Sequence, residues 1–261
     1  MVDKQGAELP AGTLERAELV FTAIENRGTA TFSEIVRLTG LPNSTAHRLL
    51  DRLVRLRWLA RNERGYELGI RLFDLGSQAI RGHWFHRAAL PALRELHHRT
   101  GLVVHLGFLD GDDTVYWEKV AGSIGAKVPT RVGGRYPAYR SAVGKAMLGR
   151  LSAEDMEDAI TAAQHRETDT RFHKILRSEL ETSRGTHVAF DRAGSIPGLG
   201  CVAAPIDYPL PVPAAVSVCG PLASVASDRR LILSVQRSAA QITEQAHRHD
   251  PATLRGRPIA R

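Results

Sequence analysis

Cysteine is scarce in this chain, and its scarcity excludes one class of fold. Only two cysteines, Cys201 and Cys219, occur in 261 residues, which is too few for the disulfide framework of a small secreted domain. Because such a composition fits a reducing compartment, we expect the protein to act in the cytoplasm. No hydrophobic run approaches the length of a membrane span, and the N-terminal residues lack the apolar core of a signal peptide. No membrane partner is therefore expected.

Lysine is also rare, although the chain is basic. Five of the 35 basic residues are lysine, an arginine bias that genomic composition alone can produce. The formal net charge is nevertheless +7, which suits a polyanionic partner. The length favours two domains, and a hydrophobic content of 43% is enough for a real core.

Motifs for catalysis, metal binding and phosphate binding are missing as well. Ser195 lies among glycines, but no ordered histidine and acid complete a triad with it. His83 and His86 have helical spacing, yet no third ligand follows at a diagnostic interval. We therefore expect no enzyme activity, no metal and no cofactor.

Residues 31 to 60 are the most informative stretch, because they predict two helices joined by a tight turn. Apolar residues share one face of a short first helix, which Ser33 can cap. Gly40 suits the left-handed exit of that helix, and Pro42 suits the first turn of the next one. The second helix has an apolar stripe behind a polar and basic N-terminal end. This is the arrangement of a helix that reads the DNA major groove.

Two short strands after this helix pair predict a wing. The strands are expected over Trp58 to Arg61 and Tyr66 to Gly69, with Gly65 free to take a positive φ in the hairpin. A helix over Leu14 to Asn26 supplies the third side of a small core. Three helices and a hairpin make a winged helix-turn-helix.

Positive charge is concentrated where DNA would lie. From Asn43 to Arg71 there are seven arginines against three acidic residues, whereas residues 1 to 42 hold four basic and six acidic side chains. Phosphate contacts supply much of the affinity of such domains, so a double-stranded DNA operator is the expected partner. The side chains expected to contact it are Asn43, Ser44, Thr45, His47, Arg48 and Arg52 on the helix and Arg61 and Arg64 on the wing.

The second half of the chain predicts an α+β domain. A helical pattern from Arg71 to about Arg99 is broken at Gly82 or at Pro91, and its apolar surface suits a dimer contact. Strands are expected over residues 102–109, 114–120, 127–132, 186–190, 200–206 and 213–219. Further helices are expected over residues 141–151, 153–163, 172–183 and 224–247.

From about Leu14 to His247 the chain resembles the IclR family of bacterial transcription regulators. The matching stretches, in order, are TGLPNSTAHRLLDRLVRLRWL, GYELGIRLFDLG, TGLVVHLGFLDGDDTVYWEKV, PAYRSAVGKAML, SRGTHVAFDRAGSIPGLGCVAAPI and AAVSVCGP. The resemblance implies an N-terminal winged helix-turn-helix, a linker helix and a C-terminal effector-binding domain similar to GAF or profilin-like domains. It also implies dimers or dimers of dimers that respond to small metabolites, often organic or aromatic acids.

We expect five segments along the chain. They are a disordered tail at 1–12, the winged helix-turn-helix at 13–70, a linker helix at 71–88, the effector-binding domain at 89–248 and a C-terminal tail at 249–261.

The family's ligand pocket can be carried over to this chain residue by residue. The implicated positions are Gly144, Ala146, Asp191, Cys201, Ser217 and Cys219. Ser141 can cap the following helix, whose first N–H groups would attract a carboxylate, and Ser217 can donate to the same group. Asp191 would repel an acid unless it accepts a ligand hydroxyl or is protonated.

The chain departs from the family around this pocket. Cys219 stands where many members have a serine, and Tyr136, Tyr139 and Arg140 stand where smaller or apolar residues are common. Arg140 would be a bidentate carboxylate clamp if it points inward. It would be a surface arginine if it points outward.

Together these features predict a ligand-responsive, DNA-binding transcription regulator, and the family contains more repressors than activators. A bound metabolite would shift the second domain between two packings and change the spacing of the two recognition helices in a dimer. One alternative is a GAF-like metabolite-processing enzyme fused to a winged helix. Another is an interaction adaptor with a degenerate winged helix, which would not need the arginines of the recognition face.

Overall fold

The computed structural model describes residues 12–25, 27–192, 194, 196–225 and 228–250. The chain divides into two compact units, Met1–Gly82 and His83–Arg261. The expected tails at 1–12 and 249–261 lie almost wholly outside the described residues, as does Ser195. None of the described helices combines the length and the hydropathy needed to cross a membrane.

Three helices and a hairpin build the first unit around one apolar core. They are α1 (Thr13–Glu25), α2 (Phe32–Thr39), α3 (Asn43–Arg55), β1 (Leu59–Asn62) and β2 (Gly65–Leu68). Val20, Ile24, Ile35 and Leu50 are fully buried at its centre, and burial of each such side chain contributes roughly 1.5–3 kcal/mol. The expected winged helix-turn-helix is confirmed.

The hairpin is fixed to the rest of the first unit by a bridge that the sequence analysis missed. Ala30 and Tyr66 exchange two backbone hydrogen bonds, of 2.9 and 2.8 Å. Gly65 allows this approach, because a Cβ atom there would lie 2.4 Å from the Ala30 carbonyl oxygen, and its φ is +131°. The wing is thereby held against the segment between α1 and α2.

The helical pattern after the wing is interrupted at His83. α4 (Ile70–Gly82) closes the first unit, and none of its side chains is buried. α5 (Trp84–Thr100) begins the second unit and includes Pro91 within the helix. The break follows Gly82, one of the two positions expected, because His83 adopts an extended backbone with ψ of 119°. The finer domain boundaries stay a prediction.

A six-stranded antiparallel sheet organises the second unit. Its strands are β3 (Val103–Asp110), β4 (Asp113–Val120), β5 (Arg135–Pro137), β6 (Ala189–Arg192), β7 (Leu199–Pro205) and β8 (Ala214–Pro221). They lie side by side in the order β5-β4-β3-β8-β7-β6. The strand expected over 127–132 was wrong. A 3-10 turn over Ser123–Lys127 and irregular backbone replace it.

Five further helices complete the second unit. They are α6 (Ala142–Leu148), α7 (Ala153–Arg166), α8 (Thr170–Thr186), α9 (Leu222–Val225) and α10 (Arg229–His249). The single helix expected over 224–247 is two helices, because the Asp228 carboxylate caps α10 by accepting from the N–H of Arg230 at 2.8 Å.

The two faces of the sheet carry separate apolar layers. Val104, Val202 and Val216 pack with α5 and α10 on one face. Ala203 and Ala215 pack with α6, α7 and α8 on the other. This separation follows from the two-residue period of side chains along a strand, and it confirms the α+β class.

Candidate functional sites

A capping box and a left-handed glycine define the helix pair of the first unit. The N–H of Thr31 donates to Glu34 Oε2 at 2.8 Å, and the N–H of Glu34 donates to Thr31 Oγ1 at 3.3 Å. Thr31 therefore caps α2, whereas Ser33 had been expected to do so. Gly40 ends the helix with φ of 67°, and its N–H donates to the Val36 carbonyl. Pro42 is the N-cap residue of α3.

α3 has one buried face and one exposed face. Ala46, Leu49, Leu50 and Leu53 are buried. The side chains expected to contact DNA lie on the opposite face: Asn43, Ser44, His47, Arg48 and Arg52 are exposed, and Thr45 is half-buried. The structure thus brings the predicted helix residues together on one accessible surface, which we call the α3 face.

Three contacts orient side chains on the α3 face. His47 Nδ1 lies 3.1 Å from Asp51 Oδ2 one turn along the helix, and the edge of its ring faces Phe32 with ring centroids 6.2 Å apart. Arg48 Nε donates to the Ser44 carbonyl at 3.3 Å. Contacts of this kind between exposed groups are weak, so these side chains stay free to reach a ligand.

The tip of the β1–β2 hairpin presents two exposed arginines. Asn62 Oδ1 accepts the N–H of Arg64 at 2.9 Å, which shapes the turn, and Asn62 Nδ2 donates to Glu67 at 3.1 Å. The Arg61 guanidinium lies 5.5 Å from the centre of the Tyr66 ring. Both guanidinium groups are available to an anionic partner.

A cavity of about 50 Å³ lies in the second unit, beside the start of α6. One row of cross-strand partners contributes three side chains to its wall. Cys219 pairs with Cys201, and Cys201 pairs in turn with Asp191. Since these residues are neighbours in register, they bring two thiols and a buried carboxylate together.

The adjacent row of partners adds a hydroxyl and an imidazole. Ser217 pairs with His105, and both line the cavity with Thr130. His105 Nε2 lies 2.7 Å from Thr130 Oγ1. Burial and the neighbouring Lys119 ammonium lower the pKa of His105 to about 3, so the ring is neutral and has one N–H to donate.

Lys119, which the sequence analysis missed, holds the loop over residues 125–130 by hydrogen bonds to its backbone. Its Nζ donates to the carbonyl oxygens of Gly125, Val128 and Thr130 at 3.2, 2.7 and 2.8 Å. Val128 and Thr130 line the cavity. The irregular backbone that replaces the expected third strand is therefore held by an ammonium group rather than by a strand ladder.

The remaining polar wall consists of neutral hydroxyl groups. Ser141 Oγ accepts the N–H of Gly144 at 2.9 Å and lies 3.2 Å from Thr114 Oγ1. Burial raises the pKa of the Tyr116 phenol, which keeps it protonated. Tyr136 also lines the cavity. Among the described lining residues none is a lysine or an arginine.

Five of the eight expected effector-binding residues line this cavity: Ser141, Asp191, Cys201, Ser217 and Cys219. The expectation for the other three needs correction, because the structure places Arg140, Gly144 and Ala146 outside the described lining. Gly144 faces the backbone of Ala138, where a Cβ atom would lie 2.1 Å from the carbonyl oxygen. Ala146 is fully buried in the apolar layer under α6.

Arg140 points away from the cavity and belongs to a separate cluster. Its guanidinium forms an ion pair with Glu167 and lies 5.8 Å from the centre of the Phe172 ring. The pKa of Arg140 is raised above its ordinary value, mainly by a hydrogen bond to Tyr139 and to a lesser extent by the hydrogen bond to Glu167. The inward carboxylate clamp is therefore replaced by a contact with the segment between α7 and α8.

Among the described residues, no three histidine, cysteine or acidic side chains lie close enough together to hold a metal ion. His83 contacts Trp117 with ring centroids 4.5 Å apart. His86 pairs instead with Glu118, at 2.9 Å. That contact lowers the pKa of Glu118 chiefly through its hydrogen bond to His86.

Two family models together match most of the chain. "IclR helix-turn-helix domain" matches residues 13–63, and "Bacterial transcriptional regulator IclR C-terminal" matches residues 77–244. The chain is 31% identical over 204 residues to the HTH-type transcriptional regulator XynR of Escherichia coli K12, covering 74% of this chain and 79% of XynR. It is 29% identical over 216 residues to the transcriptional repressor IclR of the same strain, covering 78% of each.

Solved structures share the fold. The crystal structure of an IclR homolog from Microbacterium hydrocarbonoxydans complexed with 4-hydroxybenzoate aligns with a TM-score of 0.77 and 24% identity, covering 91% of this chain and 100% of that one. The Thermotoga maritima IclR structure aligns with a TM-score of 0.67 and 24% identity, covering 89% of this chain and 97% of that one.

Proposed function

This chain belongs to the IclR family of bacterial transcriptional regulators, and on that premise we propose which of its parts meet DNA and effector. The α3 face and the β1–β2 hairpin bind operator DNA, and a small molecule in the cavity of the second unit controls that binding. The observation that carries the proposal is the α3 face, where five of the six predicted helix contacts are exposed beside a fully buried stripe.

The two parts of the DNA-binding surface have different tasks. Polar groups at the start of α3, from Asn43 to His47, reach base edges, as the N-terminal end of a recognition helix does. Arg48 and Arg52 follow on the same face, and Arg61 and Arg64 reach phosphates or the minor groove from the hairpin. The proposed action on chromosomal DNA places the protein in the bacterial cytoplasm.

Arg48→Ala tests the DNA half of the proposal. Operator fragments are first selected from a random duplex pool with the unaltered protein, and affinity is then measured by fluorescence anisotropy. We expect Arg48→Ala to weaken binding about tenfold, equivalent to 1.4 kcal/mol. Arg171→Ala, which removes an exposed arginine of α8 in the other unit, is the matched control and should leave affinity unchanged. If the operator affinity of the Arg48→Ala variant stayed within twofold of that of the unaltered protein, α3 would not be part of the DNA interface.

The cavity suits a small ligand that carries hydroxyl groups. Asp191 is only 5% exposed, and a ligand hydroxyl can donate to its carboxylate. His105, Ser217 and Ser141 supply neutral partners for further ligand oxygens. Small organic or aromatic acids are the effectors expected from the family resemblance, and a hydroxy acid meets both requirements.

The size of the cavity favours a compact effector. Its volume is about 50 Å³, whereas a cavity of roughly 150 Å³ holds benzene. An aromatic acid would therefore require the walls to move, while an acid of two to four carbon atoms would require less movement. Such a movement is the kind of change by which a ligand selects one of two packings.

Matched pairs of probes test the effector half. Glycolate with acetate, and 4-hydroxybenzoate with benzoate, differ within each pair by one hydroxyl group. We expect the hydroxylated member of at least one pair to raise the melting temperature and to change operator affinity, and Ser217→Ala to abolish both effects. If neither hydroxy acid acts on the unaltered protein, the cavity does not bind this class of effector.

Self-association is the third part of the proposal. α4 exposes Ile70 and Phe73, which are 51% and 66% accessible, and buries no side chain. Apolar surface of this kind marks a contact with a partner, and a dimer supplies the two recognition helices that paired half-sites require. Phe73→Glu is expected to lower the molar mass measured by light scattering. An unchanged mass would place the self-contact elsewhere.

The enzyme alternative gains no support from the relatives named above, which carry the names of regulators.

A further inference from the structure

The chain's two cysteines are side by side. Cys201 and Cys219 are separated in sequence but lie directly opposite each other on β7 and β8. Both are free thiols at the wall of the same cavity. Cys219 is 1% exposed, whereas Cys201 is half-buried. A small solute in the cavity therefore meets two neighbouring sulfur atoms.

The backbone geometry at this pair is compatible with a disulfide. Directly opposed residues of antiparallel strands have Cα atoms about 4.5 or 5.5 Å apart, depending on the hydrogen-bond pattern. The N–H of Ile206 donates to the Ala214 carbonyl, and the N–H of Leu222 donates to the Gly198 carbonyl. Hydrogen-bonded pairs alternate from these positions, so Cys201 and Cys219 form a non-hydrogen-bonded pair, the closer of the two patterns. Its Cα separation falls within the range of about 4.4–6.8 Å that disulfides span. The register between β7 and β8 is continuous from Leu199 opposite Pro221 to Pro205 opposite Ala215. No strand has to slide to bring the sulfur atoms together.

We propose that the Cys201–Cys219 pair is a modification site, at which a small peroxide converts the two thiols into a reversible disulfide inside the cavity. Hydrogen peroxide is small enough to enter a space of about 50 Å³. The products are one disulfide and two water molecules. The reverse step requires an external dithiol, which exchanges with the disulfide.

The reaction proceeds in two displacements. The deprotonated sulfur of Cys201 attacks one peroxide oxygen, the O–O bond breaks, and the departing hydroxide takes a proton to become water. Cys201 is then a sulfenic acid. The sulfur of Cys219 attacks the Cys201 sulfur, the S–O bond breaks, and the second hydroxide also leaves as water. Each cysteine sulfur loses one electron, and the peroxide gains both.

The surroundings of the pair make the reaction depend on pH. The neighbouring Cys219 thiol, burial and the Asp191 carboxylate raise the pKa of Cys201. The other titratable groups at the cavity wall are His105, which is neutral, and the phenols Tyr116 and Tyr136. Since the thiolate is the attacking species, the rate rises about tenfold per pH unit below the pKa of that thiol.

Formation of the disulfide has two consequences for the molecule. It joins β7 near its start to β8 near its end, which restricts the unfolded chain and stabilises the fold. It also removes two S–H groups from the cavity wall. On the proposed function this change would alter effector affinity, but formation of the bond does not depend on that function.

Mass spectrometry of the full chain tests the site. The reduced protein is treated with hydrogen peroxide at neutral and at alkaline pH. We expect a product lighter by two hydrogen atoms, faster formation at alkaline pH and full reversal by dithiothreitol. Trypsin leaves both cysteines in one peptide of residues 193–229, so the protein is cleaved before Asp207 with an aspartate-specific endoproteinase, which should give one pair of peptides linked through Cys201 and Cys219. The oxidised form should melt at a higher temperature than the reduced form.

Single-thiol variants provide the controls. Cys219→Ser introduces the residue that many members of the family have, and Cys201→Ser removes the other thiol. Each variant should form no intramolecular product, and its melting temperature should be the same before and after treatment with peroxide. Should the unaltered protein gain oxygen atoms or form covalent dimers without losing two hydrogen atoms, the proposal is wrong. Formation of the linked pair only after unfolding in urea would overturn it as well.

Discussion

The ammonium group of Lys145 on α6 lies 2.6 Å from Oε2 of Glu179 on α8, and the lysine is only 7% exposed. The same Nζ lies 3.4 Å from the carbonyl oxygen of Phe190 on β6. Phe190 directly precedes Asp191 at the cavity wall. One buried cation thus joins two helices to the strand that positions the cavity carboxylate.

Removal of this cation should destabilise the second unit. Lys145→Ala leaves Glu179 without its partner, and we expect a loss of about 2 kcal/mol in the free energy of unfolding. The full penalty for a broken buried pair does not apply, because the Glu179 side chain is 34% exposed. Lys145→Met keeps the packing of the aliphatic stem and should lose less. Urea unfolding of both variants measures the difference, and equal stability of Lys145→Ala and the unaltered chain would refute the role.

Position 144 requires glycine because the backbone of Ala138 lies too close to α6 for a side chain there. Its missing Cβ would stand 2.1 Å from the Ala138 carbonyl oxygen, so Gly144→Ala must displace α6 or the preceding turn. We expect a loss of about 1–3 kcal/mol. Gly185→Ala in α8 is the matched control, since nothing lies within 4 Å of the added carbon. It should be neutral or stabilising by up to about 1 kcal/mol. Thermal unfolding compares the two, and equal shifts would contradict the steric explanation.

Local patterns predicted the first unit well. The turn through Gly40 and Pro42 and the two faces of α3 follow from helical periodicity and from the backbone preferences of two residues. The exposed positions of the α3 face follow from the same periodicity. The bridge between Ala30 and Tyr66 did not, because it joins segments that no local pattern connects.

Long-range contacts decide the features that were mispredicted in the second unit. The strand expected over 127–132 is irregular because Lys119 holds its carbonyl groups from β4. Arg140 points outward because Glu167 and Phe172 attract it from a distant part of the sequence. None of these three partners could be identified from spacing alone, since only the folded chain brings them close.

The cap of α2 provides a test of a residue that the sequence analysis misassigned. Thr31→Ala removes the oxygen that accepts the N–H of Glu34, and we expect it to cost about 1 kcal/mol. Ser33→Ala changes the exposed neighbour that had been expected to cap, and it should stay within about 0.5 kcal/mol of the unaltered chain. Urea unfolding is followed by tryptophan fluorescence in a Trp84→Phe, Trp117→Phe background, where Trp58 of the first unit remains to report both changes. A larger loss for Ser33→Ala than for Thr31→Ala would reverse the assignment.

Stability should fall in mildly acidic solution because of His105. Burial and Lys119 lower its folded pKa to about 3, whereas the unfolded chain has a value of about 6.5. Between these pH values the unfolded state binds a proton on His105 that the folded state does not bind. The contribution of His105 to stability is therefore complete above about pH 6.5 and declines as the pH falls towards 3. The slope approaches 1.4 kcal/mol per pH unit. His105→Gln removes this slope, and the difference between variant and unaltered chain in urea unfolding from pH 7.5 to 5 isolates it from other groups. Parallel pH profiles for the two proteins would show that His105 is not held neutral.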